Sequence, residues 1–534
     1  GGKPVVYAGA RGACSFGSIP AYGAFYTPQN WCMCCPPQIS GFLCFGPVRS
    51  VPTEQEMTAL VEPIRGPAFG ESVAVAAVGG TAWPMARCDA ARSAGTSAVA
   101  PAKLESIWQR RIPLPDLSTP LARNWREYLN PPLTGPTVAG AVVAAAVMDA
   151  NQVVGLELAT GKLLWRVTAG ARIDSPPTLY RGVCLFGAHD GLVYAVSARD
   201  GRLRWKLRIA PRAQRMVSYG KVESPWPAVG SVLVADGVAY ASAGRTQGSD
   251  GGIVVRAFDP LAGRLIWSAA LPASGNPRSL RRNDLLVKTD DTLQLMTTRL
   301  DPKTGQIVPN TMLQALAKRT SLARQLQTEQ RRLKTAQPEQ KPQIEKRVAE
   351  LKRQIQQAER QSGEIALWLG AGGRSCEGLL HWNWPRLGDR KYVRMNYGNV
   401  GGKLVSWDRT AVVRMVRDRQ IALRAMGQVG PAGQPPRGPD LWSRSLPTDH
   451  QVTSLALAAN AVICAGGVYA EDGEASGFVC LLARKDGKTL VARRLPAPVA
   501  YNGLAVVDHA ICVSLVNGTV WLLGDRVSAR PPSE

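Results

Sequence analysis

The sequence predicts an all-β fold: a β-propeller of about seven four-stranded blades, with eight also open, interrupted by an inserted α-helical hairpin. Three observations predict it: a repeated Gly-x-x-x-Trp strand ending, an excess of tryptophan, and a last unit that lacks its fourth strand. The 534 residues include 14 Trp against 8 Phe and 12 Tyr. Trp is ordinarily the scarcest aromatic, so the excess implies an indole that recurs at a fixed structural position.

The repeat is read first. Val153 to Glu157 leads through Thr160-Gly161 to Lys-Leu-Leu-Trp165. Val193 to Ser197 leads through Asp200-Gly201 to Arg-Leu-Arg-Trp205, and Val254 to Phe258 leads through Gly263 to Arg-Leu-Ile-Trp267. Weaker copies surround Gly305 and Gly487. In each copy an alternating run gives a strand. The glycine marks a turn that needs positive φ, and a second strand ends in the indole. Two further short strands lie upstream, such as 178–180 and 183–187. Four strands in about 40 residues make one blade. Such a sheet cannot bury both faces alone, so blades stack and the terminal Trp fills the wedge between them.

Closure is legible too. The last unit supplies three strands, within 500–506, 510–515 and 518–523, and lacks a fourth. Lys103-Leu-Glu-Ser-Ile-Trp108 repeats the Lys-Leu-x-x-Trp ending with one insertion. An early strand completing the last blade would remove an open edge.

These endings resemble the pyrroloquinoline-quinone (PQQ)-like propeller repeats, a family that includes quinoprotein alcohol dehydrogenases and an outer-membrane assembly lipoprotein propeller. The resemblance spans roughly residues 80–526. Trp83 to Gly95 is similar to the lead-in segment before the first blade of such proteins. The stretches 170–178, 223–233, 243–252 and 501–505 resemble large propeller proteins of planctomycete-type bacteria.

The remaining segments read as additions. Residues 1–50 look like the Cys-rich tail of an upstream β unit. Two strands are expected there, within Gly12 to Tyr26 and within Gly41 to Phe45, joined by Cys32-Met-Cys-Cys35. Five of the 11 Cys fall between Cys14 and Cys44, a cluster that reads as disulfides in an oxidising compartment, as free thiols or as a zinc site. Irregular spacing and no nearby His favour disulfides. Cys184, Cys464 and Cys512 lie in apolar runs and read as buried thiols. Residues 51–79 read as a linker, 80–310 and 364–526 as the two parts of the propeller, and 527–534 as a disordered tail. Between the two parts, 311–363 carries a Leu322, Leu326, Leu333 stripe and an Ile344, Val348, Leu351, Ile355 stripe. These predict two antiparallel amphipathic, coiled-coil-like helices around a Pro-bounded turn, either a partner-docking arm or a solvated insertion. The chain begins with Gly, which suggests a fragment or processed product whose signal peptide is out of view.

Hydrophobic residues make up 45%, enough for a sizeable core, and the net charge is +24. That charge suits a polyanion partner, or it reflects evenly spread arginine; no nucleic-acid motif accompanies it. No apolar run reaches the roughly 18 residues of a membrane span.

The resemblance implies a test for chemistry. The family's enzymes hold PQQ axially, with a vicinal Cys pair on one face and a Trp on the other, and bind Ca²⁺ through Glu, Asn and Asp beside an Asp base. Here the one adjacent Cys pair, Cys34-Cys35, precedes the ring, and no Cys-x-x-Cys-His is present. His189, His381, His450 and His509 are isolated in sequence and read as loop or turn residues. Aligning the units places Thr134, Asp174, Glu223, Asn283, Thr453 and Asn502 at comparable strand starts, with Arg172 and Lys221 each two residues before an acid. Asp174, Glu223, Asn502 and Arg172 are the channel-mouth candidates. They could hold Ca²⁺ or a polar ligand, or they could cap strands and turns. The expected function is a non-catalytic scaffold or binding module outside the cytoplasm, taking a protein or polymer partner. The alternative is a PQQ- and Ca²⁺-dependent oxidoreductase of alcohols or sugars.

Overall fold

Alternating apolar residues make strands, and the repeated glycine turns the chain so that neighbouring strands pair. A computed structural model describes residues 17–30, 41–46, 50–72, 82–116, 132–218, 221–229, 231–247, 250–272, 283–289, 291–295, 298–309, 311–362, 404–417, 420–425, 440–470 and 473–525.

Among the described residues the ring consists of seven antiparallel sheets, each with four blade strands. Blade 1 is Thr137–Ala139, Val142–Val147, Gln152–Glu157 and Leu163–Thr168. Blade 2 is Thr178–Tyr180, Val183–Gly187, Leu192–Ser197 and Leu203–Arg208. Blade 3 is Leu233–Ala235, Val238–Ala243, Gly252–Phe258 and Leu265–Pro272. Blade 4 is Leu286–Thr289, Thr292–Leu295, Thr298–Leu300 and Ile307–Val308. Blade 5 is Val405–Trp407, Ala411–Arg417, Gln420–Ala425 and Asp440–Ser445. Blade 6 is His450–Leu457, Ala461–Tyr469, Ala475–Ala483 and Thr489–Leu495. Blade 7 is Val499–Val507, Ala510–Leu515 and Thr519–Gly524, completed by Glu105–Arg111. That closing strand runs antiparallel to Thr519–Gly524 with Trp108 opposite Leu522. The first strands of blades 1 and 2, 2 and 3, 3 and 4, 5 and 6, 6 and 7, and 7 and 1 are neighbours around the ring.

The recurring glycine does two things. Gly161, Gly201, Gly263, Gly305 and Gly487 all take φ between 69° and 75°, a region costly for residues with a Cβ. Each also lies under the indole of the preceding blade. A Cβ on Gly201 would meet Trp165 at 2.9 Å, on Gly263 Trp205 at 2.7 Å, and on Gly305 Trp267 at 2.5 Å. Trp442 covers Gly487 and Trp108 covers Gly161 in the same way. Each indole N–H then donates to a carbonyl of that next turn. Trp108 donates to Leu158 at 2.7 Å, Trp165 to Ala198 at 2.8 Å, Trp205 to Leu261 at 2.9 Å, Trp267 to Pro302 at 2.9 Å and Trp442 to Arg484 at 2.8 Å. One side chain thus buries a large apolar plate and satisfies its polar edge across a blade junction.

The lead-in segment is bonded to the inner strands of the ring. Trp83 exchanges two 2.8 Å backbone bonds with Val138 of blade 1, and Leu179 of blade 2 donates to Pro84. Arg92 reaches the Ser231 carbonyl before blade 3, and Lys288 of blade 4 donates to the Ala90 carbonyl. Trp407 of blade 5 donates to Ser93, Leu457 of blade 6 to Ala94, and His509 of blade 7 to Val99. The segment contacts all seven blades and then becomes the closing strand.

The N-terminal region differs in part from expectation. A three-stranded sheet of Ile19–Ala21, Ala24–Asn30 and Gly41–Phe45 replaces the two strands anticipated. Tyr22 and Gly23, both at positive φ, break the first stretch into a hairpin. Within the stretch expected as a linker, α1 (Glu54–Thr58) is capped reciprocally by Thr53 and Glu56, and Ile64–Arg65 adds a fifth strand to blade 2. After blade 4, α2 (Thr311–Thr335) and α3 (Lys341–Ser362) pack together, burying Leu322, Ile344, Val348 and Leu351. No helix among the described residues is long and apolar enough to cross a membrane. Cys14, Cys32, Cys34, Cys35, Cys376, His381 and residues 527–534 lie outside the described residues, as do the expectations made for them.

Candidate functional site

At one end of the blades, loops precede the first strand and follow the second. Blade 2 supplies Arg172 and Asp174 from the loop before Thr178–Tyr180, and His189 from the turn after Val183–Gly187. Blade 3 is preceded by a small hairpin, Met216–Ser218 with Lys221–Glu223, whose last residue is Glu223. Arg245 follows the strand Val238–Ala243.

These side chains form one buried cluster. His189 Nε2 lies 2.7 Å from Asp174 Oδ2 and its Nδ1 lies 3.0 Å from Glu223 Oε2. Arg245 Nη2 donates to the same Glu223 oxygen at 2.6 Å, while Arg172 Nη1 stands 3.4 Å from Glu223 Oε1. Arg245 also donates to the Ser224 carbonyl at 3.2 Å. The Glu223 side chain is wholly buried.

The charges are mutually dependent. Burial alone would raise the Glu223 carboxyl, but Arg172, His189 and Arg245 outweigh it and hold it well below the usual range. Burial and Arg172 oppose protonation of His189, yet Asp174 and Glu223 prevail and hold the imidazole above its ordinary value. Two acids therefore face two guanidiniums and a protonatable imidazole. Lys221 donates from the same hairpin to the Asp149 carbonyl at 2.8 Å, adding a further cation.

The structure brings together Arg172, Asp174 and Glu223 of the four sequence candidates. Asn502 is elsewhere. It sits at φ 48° where the pairing of Val499–Val507 with Ala510–Leu515 is offset, and its Oδ1 accepts from Arg87 Nη1 at 3.0 Å. It anchors the lead-in segment. Thr134 accepts from the Ala146 N–H, Thr453 donates to the Val499 carbonyl, and Asn283 bonds Ser242 and the Gly244 carbonyl. Those three act as local caps. His189, read from the sequence as an isolated loop residue, is instead the centre of the cluster. Its partners lie 15 and 34 residues away, so no local pattern marks it.

A Ca²⁺–quinone site needs carboxylate and amide oxygens open to a cation. Both Glu223 oxygens face guanidinium or imidazole nitrogens, Asp174 Oδ2 faces His189, and Asn502 is committed to Arg87. A divalent cation here would stand among like charges. The residues present do not fit the group, and no group of three or more His, Cys, Asp or Glu positioned for a metal occurs among the described residues.

Fold and site together define a seven-bladed β-propeller, threaded by its lead-in segment and ion-paired around Glu223. Residues 96–223 match a family model described as outer membrane protein assembly factor BamB. One curated relative, the outer membrane protein assembly factor BamB of Moranella endobia (strain PCIT), is 26% identical over 135 residues. That match takes in 25% of this chain and spans only 30% of the relative. Among solved structures, a quinohemoprotein alcohol dehydrogenase from Comamonas testosteroni aligns with TM-score 0.46 and 12% identity over 86% of this chain and 83% of its own. BamB from Moraxella catarrhalis aligns with TM-score 0.34 and 14% identity over 79% of this chain and all of its own. Likenesses this distant assign no activity.

Proposed function

We propose that the protein is a non-catalytic propeller scaffold outside the cytoplasm, and that it binds an acidic segment of a partner protein at the channel end that carries Glu223. The observation that carries this reading is the ion pairing of Glu223 with Arg172, His189 and Arg245. A carboxylate so engaged is spent on positioning cations rather than on holding a metal or moving a proton. The cations it positions, with Lys221 and the exposed Arg215, which acts on Asp190 beside His189, favour an anionic guest. The family-model match over residues 96–223, named for an assembly factor, supports a scaffold in the cell envelope.

The test has two arms. Purified protein is mixed with PQQ and Ca²⁺ and desalted. The expected result is no retained quinone absorbance and no dye reduction with alcohols or sugars. Stoichiometric retention with turnover would reverse the reading in favour of an oxidoreductase. In the second arm a photo-crosslinker replaces Val217 or Val222, both exposed on the hairpin that carries Glu223. One discrete protein partner is expected, lost in Arg215→Glu and weakened by salt. Crosslinking that is indifferent to Arg215→Glu would overturn the proposed docking site.

A further inference from the structure

Blade 6 brings two cysteines face to face. Cys464 lies on Ala461–Tyr469 and Cys480 on Ala475–Ala483, and the register makes them direct partners. Opposed residues of an antiparallel pair share a face, with Cα atoms about 4.5–5.5 Å apart. That separation lies inside the range of about 4.4–6.8 Å that a disulfide spans. The Cys464 Sγ is 3.5 Å from the Cys480 carbonyl oxygen. Both side chains belong to the apolar cluster between blades 5 and 6; Cys464 is fully buried and Cys480 is 8% exposed.

The two thiols are not equivalent. A hydrogen bond from Cys464 lowers Cys480 against the effect of burial, with Thr489 and the Arg444 guanidinium adding to the lowering. The same bond, together with burial, raises Cys464. Cys184 and Cys512 are buried as well, but burial alone acts on them and only raises them. Blade 6 therefore pairs a thiol disposed to ionise with a neighbour that keeps its proton, the division of labour of an attacking and a resolving cysteine.

We propose that Cys464 and Cys480 form a redox-active dithiol whose substrate is a low-molecular-weight disulfide and whose product is a cross-strand disulfide. The Cys480 thiolate attacks one sulfur of the substrate RS–SR. The substrate S–S bond breaks, one RS⁻ leaves, and a mixed disulfide remains on Cys480. Cys464 gives up its proton and attacks the Cys480 sulfur, expelling the second RS⁻. Two electrons pass from the protein to the substrate, the two thiol protons end on the two released thiols, and one protein S–S bond forms. Closure staples the two central strands of blade 6. It is independent of what the mouth binds.

The full chain offers a clean readout. Residues 445–484 lie between Arg444 and Arg484 with no internal Lys or Arg, and they contain both cysteines and no other. After exposure of the folded protein to glutathione disulfide, this tryptic peptide is expected lighter by two hydrogens and closed to iodoacetamide until a reductant is added. Cleavage at Glu471 or Glu474 is expected to leave its halves joined. Cys464→Ser is expected to stop with one glutathione held on Cys480, and Cys480→Ser to remain unmodified. Two alkylated cysteines in the unmutated peptide, or glutathione persisting on Cys480 there, would overturn the proposal whatever the variants do.

Discussion

Arginines hold both the lead-in segment and the Glu223 cluster, yet they do so in opposite ways. In the lead-in segment Arg92 is wholly buried and donates to the backbone carbonyls of Leu286, Ala86 and Ser231 at 3.1, 2.9 and 3.0 Å. Burial lowers it to about 10. Arg87 likewise bonds the Arg92 and Val405 carbonyls and Asn502. At the mouth Arg172 and Arg245 face a carboxylate instead. Carbonyl partners fix geometry from several blades at once, so these arginines act as rivets. Carboxylate and imidazole partners make a cluster whose charge depends on pH. The same side chain is thus structural in one place and suited to recognition in the other.

The contrast can be broken from either side. Arg92→Ala orphans three buried carbonyls, two on the ring and one in the lead-in segment, and is expected to cost about 4 kcal/mol of unfolding free energy, read from urea midpoints. A loss below about 1 kcal/mol would mean the lead-in segment does not rivet the ring. Glu223→Ala leaves Arg172 and Arg245 as buried cations without their acid, with an expected cost of about 3 kcal/mol. The protein should nevertheless keep its lead-in segment docked, so protection of the Trp83 and Val138 amides from hydrogen exchange should survive. His189 sharpens the comparison through pH. Its folded value is raised above 6.5, so its pairs stabilise fully below that value and are lost as pH rises through the folded value. Melting temperatures of the unmutated chain should fall across neutral to mildly alkaline pH, and His189→Gln should flatten that fall. Asn502→Ala removes one bond to Arg87 and is expected to cost about 1 kcal/mol, with no change in that pH profile.

Much of the ring was legible because its physics repeats. Gly161, Gly201 and Gly263 each serve a turn and an indole, so both residue types recur together. The closing strand was legible because Trp108 carries the same ending. Trp442 covers Gly487 as the others cover theirs and carries the same ending, with Gly438 four residues before it, but a long Gly- and Pro-rich stretch separates it from the strand Gln420–Ala425, so the regular spacing that flags the repeat is broken. The mouth was half legible. Aligning the repeats put Asp174 and Glu223 at comparable positions with Arg172 two residues before an acid, but His189 enters from a turn whose sequence shows only Ala188 and Asp190 beside it. Asn502 was misplaced by the alignment of strand starts. The offset pairing in Val499–Val507 sets it inside the strand, where it meets the lead-in segment.

The account depends on residues 83–111 threading the ring and closing it, and a pair of introduced cysteines tests that directly. Arg111 and Thr519 are register partners across the closing strand, while Arg110 faces the other side. Under mild oxidation Arg111→Cys with Thr519→Cys should link, seen as a peptide joining the two segments, and Arg110→Cys with Thr519→Cys should not. Equal yields from both pairs, or none from the first, would contradict the closed ring.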